Sequence, residues 1–199
     1  MRRLAAGLAA LALAVTLTGC SLLPQQTDAA DEAILRVVAL DRQGEKLTIT
    51  AMTAGIQTGD SSEPPETVEG TGEDYAQARQ DMLDRRQASL VHTTDWIVAE
   101  NALGDVLEAF LTDPELTYAA RIYLLKDQSV KDFLGAFQEE ETGPARSLAD
   151  LDRALGADGV TVLECSALLA EGKKCDIPAL RAEDGKLEVV EEVTVRGWK

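Results

Sequence analysis

The chain has 199 residues, 45% of them hydrophobic and 4% aromatic, with 35 acidic against 19 basic side chains and a formal charge of −16. That length suits one ordinary domain with a real core and falls short of two large ones. The acidic balance argues against a nucleic-acid footprint and against charge-driven adsorption to an anionic lipid surface.

Arg2 and Arg3 open the chain as a positive cluster, and Leu4 to Leu17 follow as an apolar run. At about 14 residues the run is short of the roughly 20 that a spanning helix needs, so it reads as a signal peptide. It ends at "LTGCS", Leu17 to Ser21, where Gly19 supplies the small residue before a cleavage site and Cys20 stands where a bacterial lipobox places its lipidated cysteine. The expected organisation is a lipoprotein signal peptide at 1–19, a lipidated N-terminus and flexible linker at 20–32, and a folded domain at 33–199. Loss of Arg2 and Arg3 makes the remainder more negative still, so attachment to a membrane has to come from the lipid on Cys20.

Ser21 to Asp31 ("SLLPQQTDAAD") has no apolar period and reads as the linker. Ala33 to Leu40 is apolar and β-branched, and Leu47 to Thr53 places Leu47, Ile49 and Ala51 on one face. With "DRQGEK" between them, the two form a hairpin. "GIQTGDSSEPPETVEGTG" is acidic and rich in Gly and Pro, a solvated loop with disorder expected at Gly59 to Glu66 and a short strand at Thr67 to Gly70. Tyr75, Ala78, Met82 and Leu83 recur at helical spacing within Glu73 to Arg86, with Thr71 as N-cap.

Leu90, Val91 and Trp96 to Ala99 bracket His92 in an expected buried strand. Asn101 then caps a helix whose Leu103, Val106, Leu107, Phe110 and Leu111 make one stripe. "TDPE" at Thr112 to Glu115 stops that helix, and Thr117 to Leu125 alternates as a strand. Ser129 and Ser147 are capping candidates for stripes at Val130, Phe133, Leu134, Phe137 and at Leu148, Leu151, Leu155, and Val160 to Ala170 is a further helix. Ile177 to Ala182, Leu187 to Val190 and Val193 to Arg196 read as strands, the first two joined through Asp184-Gly185. The fold class is α+β (mixed α/β): a single central mixed β-sheet flanked by amphipathic helices.

The search for chemistry is short. Ser89 and Asp95 lie three residues to either side of His92, and in an extended chain that spacing points to opposite faces, a poor triad. Glu139-Glu140-Glu141 and Glu191-Glu192 lack the alternating spacing of a calcium loop, and Gly70-Thr71-Gly72 lacks the third glycine and the lysine of a phosphate cradle. Cys165 and Cys175 leave two readings open: a buried thiol with an exposed one, or a disulfide worth about 2–3 kcal/mol across so short a loop. Zinc is disfavoured by their spacing and by the single histidine. No catalytic set, metal site or cofactor is expected, which favours a binding or assembly module. Partner contact is expected from exposed charged groups near the "TDPE" turn and the neighbouring strand ends, with Asp113, Glu115 and Arg121 as candidates.

The order of "VEGTGEDYAQARQDML", "SLVHTTDWIVAENAL" and "LEAFLTDPELTYAARIYLLKD" resembles the C subunit of spore germinant receptors, the Ger(x)C lipoproteins. "AILRVVALD", ending in Asp41, is similar to the family's first strand, and "LLAEGKKCDIPAL", with Pro178, to a later helix, turn and strand. The likeness spans Ala33 to Lys199 and corresponds to the family's N-terminal domain. This chain departs from the pattern in its longer linker, its acidic Pro-rich insert, and Thr112 where an Arg is usual. The resemblance implies a non-enzymatic, lipid-anchored component of spore germination at the inner spore membrane, working with a multipass A subunit and a B subunit. A stand-alone envelope lipoprotein that binds a small ligand or a cell-wall component is the alternative.

Overall fold

The computed structural model describes residues 33–53, 56–58, 61–63, 66–86, 88–90, 92–113, 116–117, 119–137, 144–156 and 159–196. Cys20 and the stretches expected to be leader and linker lie outside them. The expected fold class holds: one mixed sheet carries helices on both faces.

Strand β1 (Ala33–Gln43) turns through Gly44, whose φ of 64° suits glycine, into β2 (Lys46–Thr53), and the two pair antiparallel as the expected hairpin. The stretch that reads as a loop holds a small ribbon of β3 (Ile56–Thr58) and β4 (Ser61–Glu63). The expected disorder at 59–66 is therefore corrected for Ser61 to Glu63. β5 (Thr67–Gly72) adds to β2 as the sheet edge, and α1 (Tyr75–Arg85) folds back over it. Asp74, not Thr71, is the N-cap of α1, its carboxylate accepting from the Gln77 N–H.

β6 (Ala88–Ser89) pairs briefly with β1. His92 sits exposed in a turn rather than inside a strand, and β7 (Asp95–Ala99), buried at every position, starts three residues later. One turn of 3-10 helix (Glu100–Ala102) precedes α2 (Leu103–Thr112). Asn101 does not cap α2, because its side chain bonds Asp41 and the main chain of Arg42 instead. β8 (Arg121–Leu125) is shorter at its start than the alternation suggests.

Ser129 does cap α3 (Val130–Gly135), whereas Ser147 lies inside α4 (Pro144–Leu155) and reaches the Gly185 carbonyl. Thr161 and Glu164 form a reciprocal capping box at the start of α5 (Val162–Ala170). β9 (Lys174–Glu183) and β10 (Lys186–Arg196) close the chain as a hairpin through Asp184 and Gly185, both at positive φ. The two expected final strands are one, interrupted by a register shift between Val189 and Glu191.

The sheet order is β10-β9-β8-β7-β1-β2-β5. β1, β7, β8 and β9 run parallel in the middle, and an antiparallel pairing finishes each side. Side chains alternate between two cores. On one face Leu40, Ile49, Trp96, Val98, Ile122 and Ile177 pack under α1, α2 and α5. On the other, Val37, Ala39, Ile97, Tyr123 and Leu180 pack under α3 and α4. The connection from β8 to β9 thus visits both faces, and this is what brings Asp95, Arg121 and Asp152 together.

Candidate functional site

β8 and β9 share only two pairs, Leu124 with Ala179 and Leu125 with Leu180. Towards the start of β8 the chain entering α5 takes the place of β9: Ile122 N–H donates to the Val160 carbonyl, and Val162 N–H to that of Ala120. Arg121 stands at this junction. Its guanidinium donates to the carbonyls of Gly159 and Gly156, the latter at 2.7 Å, and thereby staples the segment between α4 and α5.

Next to Arg121 in register, on β7, is Asp95. It shares a face with Ile97, which puts a carboxylate where an apolar side chain is the rule, and it is 2% exposed. Thr94 donates its hydroxyl to Asp95 Oδ2 at 2.7 Å, while Oδ1 meets no donor among the described residues. Asp152 of α4 lies over it at hydrogen-bonding range, and Tyr123 of β8 donates its hydroxyl to Asp152 Oδ1. Burial pushes the Asp95 carboxyl up to about 7, with the Asp152 charge and contact acting in the same direction and the Thr94 hydrogen bond opposing them. Burial, then the bond to Asp152, likewise raises the Tyr123 phenol. A carboxyl pair with a tyrosine can hold and exchange a proton, but packed under α4 it is built to link elements of the fold.

The opposite end of the parallel strands is open. Asp41, Ala99 and Leu125, at the carboxyl ends of β1, β7 and β8, border a groove of about 390 Å³ with Glu100, Asn101, Asp127 and Ser129. Asn101 fixes one wall, donating to Asp41 Oδ1 at 3.2 Å and to the Arg42 carbonyl at 2.6 Å. Arg42 is itself clamped by both carboxylate oxygens of Asp105 at 2.7 Å. In parallel sheets this end is where ligands usually sit.

Of the residues expected to meet a partner, Glu115 lies outside the described set. Asp113 is half-buried at the end of α2, with Arg79 at 3.3 Å and the Tyr75 hydroxyl at 3.4 Å, so it ties α2 to α1. Arg121 is held as described. The expectation that these two are exposed groups is corrected, since both are committed to contacts inside the domain. Arg121→Glu should therefore destabilise the protein by about 2–3 kcal/mol, through two lost charge-assisted bonds and a new acid beside Asp95. Chemical denaturation monitored by circular dichroism would show it, and an unchanged midpoint would return Arg121 to the surface.

Cys165 on α5 and Cys175 on β9 are free and both buried, so the reading with one exposed thiol is corrected. They touch: the contact with Cys175, then burial, pushes the Cys165 thiol up. Asp95 is not paired with His92 as a triad would require, because the Asp95 carboxylate is bonded to Thr94 and faces Asp152. No cluster of metal-ligating side chains occurs among the described residues, and none of their helices is long and apolar enough to cross a membrane.

Each member of the Asp95–Asp152 pair, though not their meeting, is accessible to pattern reading. Asp95 alternates with Ile97 and Ala99, and Asp152 is four residues from Leu148 on the apolar stripe of α4, so each is an acid at a core-facing position. No family model, curated protein or solved structure matches this chain.

Proposed function

We propose that the protein is a membrane-anchored, non-catalytic lipoprotein that acts as an assembly and sensing component of spore germination, in the manner of the germinant-receptor C subunit it resembles. The observation that supports this reading best is the fit of the shared pattern to the fold. Gly70 and Gly72, its Gly-x-Gly, lie flush under α1, where a Cβ on either would come within 2.4 Å of a backbone atom of that helix. Asp41 ends β1 as a buried acid held by Asn101. The motif residues thus meet demands of packing, as expected of a subunit that works through its shape and its contacts.

The partners in this reading are A- and B-type membrane subunits, with the lipid on Cys20 as the anchor. Cys20→Ala should abolish labelling by a fatty acid and release the chain from membranes, because a strongly acidic domain has no other attachment to an anionic bilayer. The wild-type chain should remain after a carbonate wash and co-purify from spores with a multipass protein and a transporter-like one. Recovery of the wild-type chain alone, or retention of the variant after the wash, counts against the proposal.

The second reading, a stand-alone envelope lipoprotein binding a small ligand, is favoured by the groove at the carboxyl ends of β1, β7 and β8. It calls for a ligand that raises the melting temperature of the purified protein with no partner present, an effect that Asn101→Ala should weaken.

A further inference from the structure

Two carboxylates from different elements meet in the layer between the sheet and α4, and Arg121, the one cation facing them, opposes their charge while its hydrogen bonds go elsewhere. Asp95 is approached from its own strand by the Thr94 hydroxyl, from β8 by Arg121 and Tyr123, from α4 by Asp152, and from β1 by Val37, which is apolar. Arg121 is the one cation among these neighbours, and its Nη atoms are spent on the carbonyls of Gly156 and Gly159. Tyr123 gives its only proton to Asp152. Asp95 Oδ1 is left buried without a donor, a costly state for a charged oxygen.

We propose that Asp95 and Asp152 share one proton, and that this proton is the clasp that holds α4 on the sheet, so that its loss on alkalinisation loosens α4. With the proton in place, Asp95 Oδ1 gains its partner and a single negative charge is spread over the pair, as in other close carboxyl pairs. Without it, two negative charges face each other, one on buried Asp95 and one on half-buried Asp152, and the helix is the element able to move. α4 is attached through buried Pro144 and Leu148, with Ala145, Leu151 and Leu155 half-buried around them, and its outer face is exposed. Movement of α4 would uncover Val37, Tyr123 and Leu180 of the sheet, a surface able to report the pH of the surrounding compartment to a partner. The inference stands on the geometry of this pair and not on the germination reading.

The sign of the effect is set by the raised carboxyl. A group held protonated in the folded state up to about 7, and only to its ordinary carboxylate value when unfolded, contributes stability that is full below that ordinary value, falls as pH rises from there, and is gone once pH has passed about 7. Amide hydrogen exchange on the intact protein, corrected for the intrinsic rate, is the direct test. Protection within Ser147 to Leu155 should fall by up to about tenfold between pH 6 and pH 8, while β7 and α5 keep theirs. Asp95→Asn and Asp152→Asn each supply an amide donor at every pH, and either should flatten the profile. Infrared spectroscopy should show a protonated carboxyl at pH 6 that disappears by pH 8 and is absent from a folded Asp95→Asn variant. Flat α4 protection in the wild-type protein, a full wild-type slope in both variants, or no protonated carboxyl at pH 6 overturns the proposal.

Discussion

Trp96→Ala should cost about 3–5 kcal/mol, the range for removing a fully buried aromatic side chain, and this is a large share of the roughly 5–15 kcal/mol by which domains are stable. The indole comes from the central strand β7 and is 0% exposed. It stands edge-on to Phe110 of α2 at 5.1 Å between ring centroids and tilted against Tyr75 of α1 at 6.3 Å, so one side chain joins the sheet to two helices. Its Nε1–H meets no acceptor among the described residues, so truncation orphans no partner and the cost is the cavity itself. Trp96→Phe keeps most of the ring contact and removes the unsatisfied N–H. It should cost well under half as much. Urea unfolding followed by circular dichroism measures both, and a Trp96→Ala loss of about 1 kcal/mol or less would mean that the α1–α2 layer closes over the gap.

The parts of this architecture that a one-dimensional pattern can carry are the periodic ones. Leu47, Ile49 and Ala51 announce β2, and Val130 and Phe133 announce α3, because burial on one face imposes a period of two or of about 3.6. Helix starts were legible only where the cap acts locally. Ser129 caps α3 in its own turn, but Asn101 and Ser147 look like caps and are drawn away, one to Asp41 and Arg42, the other to Gly185. A hydrogen-bonding side chain answers to whatever the fold brings near, and sequence spacing does not record it. Asp113 and Arg121 were misjudged for the same reason. As charges beside a turn they suggest surface, yet Arg79 and the Gly156 and Gly159 carbonyls reach them from tens of residues away. Asp95 and Asp152 are each visible as acids in apolar positions, but their meeting depends on the crossing of the chain from one sheet face to the other between β8 and β9.

Gly70→Ala should disrupt the fold through the addition of a single carbon. Gly70 pairs with Ile49 across the edge of the sheet, and a Cβ there would lie 2.2 Å from the Ala78 carbonyl oxygen, 2.4 Å from the Met82 nitrogen and 2.5 Å from the Met82 Cβ. Two of those three are backbone atoms of a helix, which cannot rotate aside as the end of a long side chain can. Relief therefore requires α1 to move off β5, and with it go the buried contacts of Ala78 and Met82, both 0% exposed. Overpacking of a well-filled interior costs about 1–3 kcal/mol and occasionally more, and the rigid backbone places this substitution at or above the top of that range. Gly135→Ala is the matching control. Nothing lies within 4 Å of its Cβ position at the end of α3, so the methyl is accommodated and the lower backbone entropy of the unfolded chain should leave stability equal or raised by up to about 1 kcal/mol. Thermal or urea unfolding of the two variants side by side decides the matter: Gly70→Ala as stable as Gly135→Ala would show that α1 rides on the sheet with slack, and the close seating of the Gly-x-Gly motif would lose its physical basis.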